Sequence, residues 1–332
     1  MRDSEPMIIL TAAATEPLSR STPSQRPPLR VGMVQHRWRP DRAELVAVLS
    51  DGIARAADHG AALVCLPEIA LLRYPADTPA GPNPDADAED LTDGPTFELA
   101  AEAARTQGVF VHASLYEKAQ GDDGLGYNTA ILVSPAGDLV GRTRKLHIPV
   151  SAGYYEDTYF RPGPADDPYP VYAPAGLGAR LGLPTCWDEW FPEVARTYSL
   201  GGAEILVFPT AIGSEPVFPA LDTRPLWQQV IVANGISSGL FMVVPNRIGD
   251  EGRVGFYGSS FISDPYGRVL VQAPRDEEAV LVADLDLAQR RDWLELFPFL
   301  LTRRPDTYGL LAAPVDPTRP YGVGHPATAV VK

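Results

Sequence analysis

A cysteine, a glutamate and a lysine each stand in this chain where they could act on a carbonyl carbon. Cys186 follows the apolar run at residues 179–185 and opens the segment Cys186-Trp187-Asp188-Glu189-Trp190-Phe191-Pro192-Glu193. The run reads as a buried strand and Phe191-Pro192-Glu193 as the start of a helix, so the thiol is expected at a strand-to-helix turn. There the sulfur projects from the sheet edge, and the free N–H groups of the helix start favour negative charge on a thiolate or a substrate oxygen. An unperturbed thiol, with a pKa near ~8.5, is mostly protonated at neutral pH, so it requires a base or a positive field. Glu68, which closes the strand-like run at residues 62–67, is a candidate base. Its apolar neighbours Leu66, Pro67 and Ile69 would raise a carboxyl pKa by desolvation, toward the range useful for taking and returning a proton. Lys145 is followed by the partly apolar stretch Leu146-His147-Ile148-Pro149, unlike a plain surface loop. Its ammonium and the backbone N–H of Trp187 would together hold the oxyanion of a tetrahedral intermediate, a contribution of roughly 3 to 4 kcal/mol for a good donor. Blander readings exist: Glu68 as a surface carboxylate after a strand, and Lys145 as a solvated member of the basic run with Arg142 and Arg144.

The order Leu66-Pro67-Glu68, Lys145-Leu146-His147-Ile148-Pro149 and the Cys186 segment resembles the nitrilase superfamily of carbon-nitrogen hydrolases. Within it the chain is most similar to the N-carbamoylputrescine amidohydrolase and β-ureidopropionase branch. Further matching blocks are Gly153-Tyr154-Tyr155-Glu156, Phe160-Arg161-Pro162-Gly163, residues 208–216, Asn246-Arg247-Ile248-Gly249 and residues 256–261. The resemblance implies an α/β fold, a four-layer α-β-β-α sandwich whose two sheets face each other. It also implies a Glu68, Lys145, Cys186 triad, with Glu156 as a second glutamate that hydrogen-bonds Lys145 or the attacking water. With Asp157 beside it, Glu156 could instead be a surface carboxylate. No metal or cofactor is expected, because His36, His59, His112, His147 and His325 show no metal-ligand spacing with each other or with the cysteines.

In the related N-carbamoyl-D-amino acid hydrolases, two arginines follow the catalytic cysteine by three and four places and bind a substrate carboxylate. Here those places hold Glu189 and Trp190. A carboxylate and an aromatic in place of a basic pair disfavour an anionic substrate and suit an amine or guanidine, since an unpaired buried charge is costly. Asp188, Glu189, Glu215 and Asp222 are candidate counter-charges, each also readable as structural. The expected reaction is thiol-dependent cleavage of a non-peptide C–N bond in an N-carbamoyl amine such as N-carbamoylputrescine, giving amine, CO2 and NH3. One alternative is a linear amidase acting on an ω-amino or ω-guanidino acid amide. Another, from a different class, is a non-catalytic binding protein on the same fold, whose mark would be loss of a triad member. The apolar Val217-Phe218-Pro219-Ala220 departs from the more polar pattern of the carbamoylputrescine branch.

These residues need a scaffold, and the chain is long enough to build one. Its 332 residues are 45% hydrophobic and 21% charged, ordinary for a globular protein with a large core. With 28 Lys plus Arg against 42 Asp plus Glu, the net charge of -14 argues against nucleic acid, which is bound by neutralising phosphates. The two cysteines, Cys65 and Cys186, exclude a disulfide framework and fit a reducing, cytoplasmic setting. No run is long enough to cross a bilayer, and the N-terminus fits a signal peptide poorly.

Residues 1–27, rich in Ser, Thr and Pro, are expected to be a flexible extension, 28–311 the hydrolase domain and 312–332 a tail. Strands are expected at residues 29–35, 62–68, 109–117, 127–134, 179–185, 204–210, 241–246, 256–264, 268–272 and 279–285. Helices are expected after Asp41, over 97–107, from Pro192 and over 227–238. Residues 60–68 and 202–210 share a helix-stop, strand, Pro pattern, which suggests an internal pseudo-two-fold. The apolar stretch at 296–311 is expected to pack on a partner subunit, in a homodimer or larger assembly.

Overall fold

In the computed structural model, which describes residues 7–121 and 123–322, the strand at Phe110–Glu117 is buried at every position. A strand with no solvent face must be covered on both sides. The chain meets this demand with two stacked sheets between helices. In chain order the strands are β1 Ile8–Ala12, β2 Leu29–Gln35, β3 Leu63–Cys65, β4 Phe110–Glu117, β5 Tyr127–Val133, β6 Leu139–Arg144, β7 Val150–Ser151 and β8 Tyr154–Tyr155. They continue with β9 Leu181–Gly182, β10 Ile205–Val207, β11 Phe241–Val244, β12 Ile248–Asp250, β13 Gly255–Tyr257, β14 Phe261–Ser263, β15 Val269–Gln272 and β16 Ala279–Leu285. The α-helices are α1 Arg42–Asp58, α2 Pro95–Gln107, α3 Pro192–Leu200, α4 Arg224–Ser238 and α5 Ala288–Leu296.

One sheet has seven strands in the order β1-β16-β2-β3-β4-β5-β6, and the other five, in the order β15-β14-β11-β10-β9. Side chains alternate across each strand, and the alternation sorts the core into layers. Val64 of β3 joins Leu45, Leu49 and Leu99 under α1 and α2. Its neighbours Leu63 and Cys65 point the other way, into the layer between the sheets, where they meet Ile205 and Val207 of β10. Leu206 of β10 turns outward to Tyr198 of α3 and Trp227 and Ile231 of α4. The result is the α-β-β-α sandwich that the resemblance implies.

The two sheets repeat one pattern. β2, β3 and β4 run parallel and β5 and β6 then return antiparallel. Likewise β9, β10 and β11 run parallel, and β14 and β15 return antiparallel. The middle strands β3 and β10 carry the sequence echo, so the expected pseudo-two-fold has a topological basis. Where the chains leave these strands they meet: the Glu68 N–H donates to the Thr210 carbonyl at 3.4 Å.

Several expectations change. Residues 8–12 are not part of a flexible extension: β1 pairs in parallel with β16, from Ile8 opposite Ala279 to Ala12 opposite Ala283. Ile8, Leu10 and Ala12 pack on the layer between the sheets, which gives this short segment apolar surface to bury. Further along, Arg20 pairs with Asp286 at 2.6 Å and with Asp292 at 2.8 Å. Residues 1–6 of the expected extension and 323–332 of the expected tail lie outside the described residues. The expected strand at 256–264 breaks into β13 and β14, in different sheets, because Gly258 and Ser259 take positive φ of 52° and 59°. Helix α5 and strand β6 are additional to the expected elements. Among the described residues no helix is long and apolar enough to cross a membrane.

Candidate active site

Glu68 sits just beyond β3, where Pro67 removes a ladder donor and lets the chain leave the sheet. The glutamate is fully buried. Its Oε1 accepts from the Lys145 ammonium at 3.0 Å and from Asn128 Nδ2 at 2.7 Å. Its Oε2 has no hydrogen-bond partner among the described residues. One oxygen is therefore fixed and the other is open to a proton. The next residue, Ile69, holds a positive φ of 47° and donates its N–H to Ser114, turning the chain away behind the glutamate.

Lys145 follows β6, and its N–H donates to the Asn128 carbonyl of β5 at 2.8 Å. Its Nζ donates to Glu68 and also to Glu156 Oε2, at 2.6 Å, with the lysine buried throughout. Burial alone would depress the ammonium, but the negative charges of Glu156, Glu68 and Cys186 outweigh it and hold Lys145 well above its ordinary pKa. The lysine stays charged. Glu156 also accepts from the Tyr74 hydroxyl at 2.8 Å, and burial raises its pKa against the pull of Lys145. These contacts exclude the surface-carboxylate reading of Glu156.

Cys186 opens a 3-10 turn, Cys186–Trp190, that leads into α3. Its φ is 38°, a conformation that costs a non-glycine residue on the order of 1 to 3 kcal/mol and survives only where the surroundings impose it. The constraint is visible: the Cys186 N–H donates to the Pro209 carbonyl at 3.0 Å. With that N–H occupied, the next one, of Trp187, has no hydrogen-bond partner among the described residues. Burial first, and then the Glu68 charge, push the Cys186 thiol well above its ordinary range, despite the opposing effect of Lys145. The groups that meet here are a thiol, carboxyl groups and an ammonium. Such a set can take a proton from sulfur, accept a carbonyl carbon and stabilise the oxygen.

A cavity of about 230 Å³ opens on Cys186, lined among others by Tyr74, Tyr154, Glu156, Trp187, Trp190 and Glu215. A larger one, about 490 Å³, lies away from the cysteine between α3 and the C-terminal segment. Chemistry belongs to the smaller cavity, where the titratable groups converge. Glu215 lines this cavity, whereas Asp188 and Glu189 do not. The Asp188 carboxylate accepts from the N–H groups of Thr185 at 3.1 Å and His147 at 2.9 Å, and contacts His147 Nδ1 at 2.7 Å. It ties the lysine segment to the cysteine turn. Glu189 points behind the turn to Trp227 and Thr210. Asp222 pairs with Arg275 at the surface. Asn128 and Tyr74, which hold the two glutamates, were not anticipated; a buried Asn inside the apolar strand β5 was the available signal. Among the described residues no group of three or more His, Cys, Asp and Glu is placed to hold a metal ion. His325 lies outside them.

Known proteins are similar to this chain in sequence and in fold. The carbon-nitrogen hydrolase family profile matches residues 30–295. A citrullinase of Francisella tularensis is 33% identical over 84% of this chain and 96% of its own length. An N-carbamoylputrescine amidase of Arabidopsis thaliana is 38% identical over 65% of this chain and 73% of its own. In three dimensions, a carbon-nitrogen hydrolase from Helicobacter pylori G27 superposes with a TM-score of 0.77 at 30% identity, covering 85% of this chain and 98% of that one.

Proposed function

The chain belongs to the carbon-nitrogen hydrolase family of the nitrilase superfamily, and from that premise we propose that it hydrolyses an N-carbamoyl amine bearing a distal cation, such as N-carbamoylputrescine. The observation that carries the substrate class is the charge of the cavity. Glu156 is engaged by Lys145, which leaves Glu215 as the one charged lining side chain without a cationic partner among the described residues. Among the described residues no Arg, Lys or His lines the cavity to receive a substrate carboxylate. Trp187, Trp190 and Tyr154 provide apolar walls for an alkyl chain. A substrate ending in an ammonium finds a counter-charge there; one ending in a carboxylate meets like charge.

In the proposed mechanism Glu68 takes the Cys186 proton on its open oxygen as sulfur attacks the ureido carbon. Lys145 and the Trp187 N–H hold the oxyanion. Collapse breaks the bond to the terminal nitrogen, which leaves as ammonia with the proton returned by Glu68. Water, activated by Glu68, then cleaves the carbamoyl thioester and regenerates the thiol. The carbamic acid released decomposes to amine and CO2. Glu156 and Tyr74 keep the lysine aimed.

The citrullinase relative makes a zwitterionic ureido substrate the natural comparison. Ammonia release from N-carbamoylputrescine, citrulline, N-carbamoyl-β-alanine and a linear ω-amino acid amide, with CO2 measured in parallel, tests the proposal. We expect N-carbamoylputrescine to exceed the carboxylate-bearing compounds by on the order of 100-fold in kcat/KM. Glu215→Gln should raise its KM about tenfold with little change in kcat. Equal turnover of N-carbamoyl-β-alanine would overturn the substrate class, and ammonia without CO2 would favour a linear amidase.

A further inference from the structure

Glu189 lies three residues beyond the nucleophile, 1% exposed, yet outside the substrate cavity. Its Oε1 accepts from the Trp227 indole N–H at 2.7 Å, and its Oε2 lies 3.3 Å from the Thr210 hydroxyl. Its backbone carbonyl accepts from Asn234 at 2.9 Å. Trp227 and Asn234 both belong to α4. Thr210 has a single hydroxyl proton, and the shorter of its contacts, 2.9 Å, is to the Phe208 carbonyl, an oxygen that can only accept. With that proton engaged, the contact between Thr210 and Glu189 lacks a hydrogen unless the carboxyl supplies one. Among the described residues no cation pairs with Glu189: Lys145, whose field reaches it, is paired with Glu68 and Glu156.

We propose that Glu189 is a neutral carboxylic acid in the working enzyme and positions the nucleophile, its O–H donating to Thr210 while its carbonyl oxygen accepts from Trp227. The two bonds fasten the Cys186 turn to α4 and to the segment at residues 209–210. That segment is where both reacting groups are held. The Pro209 carbonyl takes the Cys186 N–H, the Thr210 carbonyl takes the Glu68 N–H, and the Thr210 N–H is anchored in turn on the Pro245 carbonyl at 2.9 Å. Displacement of Thr210 would therefore move nucleophile and base together.

Burial and the neighbouring negative charges oppose ionisation, against the hydrogen bond from Trp227 and the charge of Lys145. The charged and titratable groups whose fields couple to Glu189 are Cys186 in its own turn, Glu68 beyond β3, Lys145 after β6 and Tyr257 in β13, with Asp188 adjacent in sequence. Of these only Lys145 favours a carboxylate. Burial, and after it the Glu68 charge among the groups that oppose ionisation, raises the Glu189 pKa well above its ordinary 4.5. The sign of the linkage follows. Below the ordinary carboxyl pKa the group is neutral whether the chain is folded or not, and its stabilising contribution is complete. As pH rises further the unfolded chain loses a proton that the fold retains, and stability declines until Glu189 ionises in place.

The test compares wild type, Glu189→Gln and Glu189→Leu as full-length protein. Glutamine reproduces the pattern of a protonated carboxyl, accepting from Trp227 and donating to Thr210, but cannot ionise. At neutral pH the Gln variant should keep kcat for N-carbamoylputrescine within about threefold, while Leu, which leaves the indole N–H unpaired and removes the donor to the Thr210 oxygen, should lose on the order of tenfold or more in kcat with KM unchanged. In thermal unfolding from about pH 5 to about pH 9, the Gln variant should gain on wild type as pH rises, about tenfold in the ratio of unfolding constants per pH unit. A loss of about 100-fold in kcat by the Gln variant would overturn the proposal, since a carboxylate would then be required. A pH-independent stability difference between Gln and wild type would overturn it too, as would wild-type kcat in a folded Leu variant. The kcat arm rests on Cys186 being the nucleophile. The stability arm does not, so activity surviving in Cys186→Ala would remove the proposed function without touching it.

Discussion

At the scale of single residues, the division of labour rests on which atoms are occupied. Glu68 has one oxygen held by Lys145 and Asn128 and one open, so Asn128→Ala should reduce kcat by on the order of tenfold by letting the base rotate, a change read in single-turnover rates. Lys145→Ala should cost at least about 100-fold in kcat, since it deletes an oxyanion donor and leaves Glu68 and Glu156 facing each other unscreened. Cys186→Ala should abolish turnover with the circular-dichroism spectrum and melting temperature little changed. Cys65→Ser should retain activity, because Cys65 is sealed between the sheets and its thiol is pushed up by burial alone. Iodoacetamide mapping that placed an inactivating adduct on Cys65 would contradict this assignment. The three candidate residues that the structure brings together, Glu68, Lys145 and Cys186, were legible in the sequence because they stand beside strands and prolines. Asp188 and Glu189 were misjudged because charge near a nucleophile says nothing of direction: both fold back from the cavity, one to backbone N–H groups and one to an indole.

Secondary structure was legible wherever a strand is buried on both faces, as in β4 and β16, since continuous apolar runs survive without tertiary information. It was not legible in β1, whose five residues alternate half-buried and exposed and gain their partner from the far end of the chain. Nor was α5 evident, because its charged residues serve long-range partners: Arg290 donates to the carbonyls of Ser199, Ser238 and Gly239. The break between β13 and β14 escaped for another reason, a positive φ at Ser259 that residue type does not announce. If β1 is a true sheet member, deleting residues 1–14 should expose the edge of β16, lowering the melting temperature by about 3 °C or more and promoting aggregation. The kcat of the remaining folded protein should be unchanged. A melting curve identical to the full-length protein would contradict this role.

For the whole molecule, one group of exposed apolar residues lies near the C-terminus and another at residues 217–226. Leu296, Phe297, Leu301, Leu310 and Leu311 are all at least 44% exposed, and the cavity between α3 and this segment lies beside them. Such a concentration suits a protein partner, and we expect a homodimer or larger assembly; a monomer mass by light scattering at micromolar concentration would count against it. The meeting of the two strand exits has a different kind of consequence. Glu68 belongs to the first sheet's half of the chain and Cys186 to the second, and they are brought into register by hydrogen bonds to Pro209 and Thr210. Neither half alone contains the whole candidate centre. During refolding the local helices and hairpins can form early, but contacts this distant in sequence carry a large loop-closure cost and form slowly. Regain of turnover should therefore trail regain of helical signal, making catalysis a clock for the final closure of the two sheets.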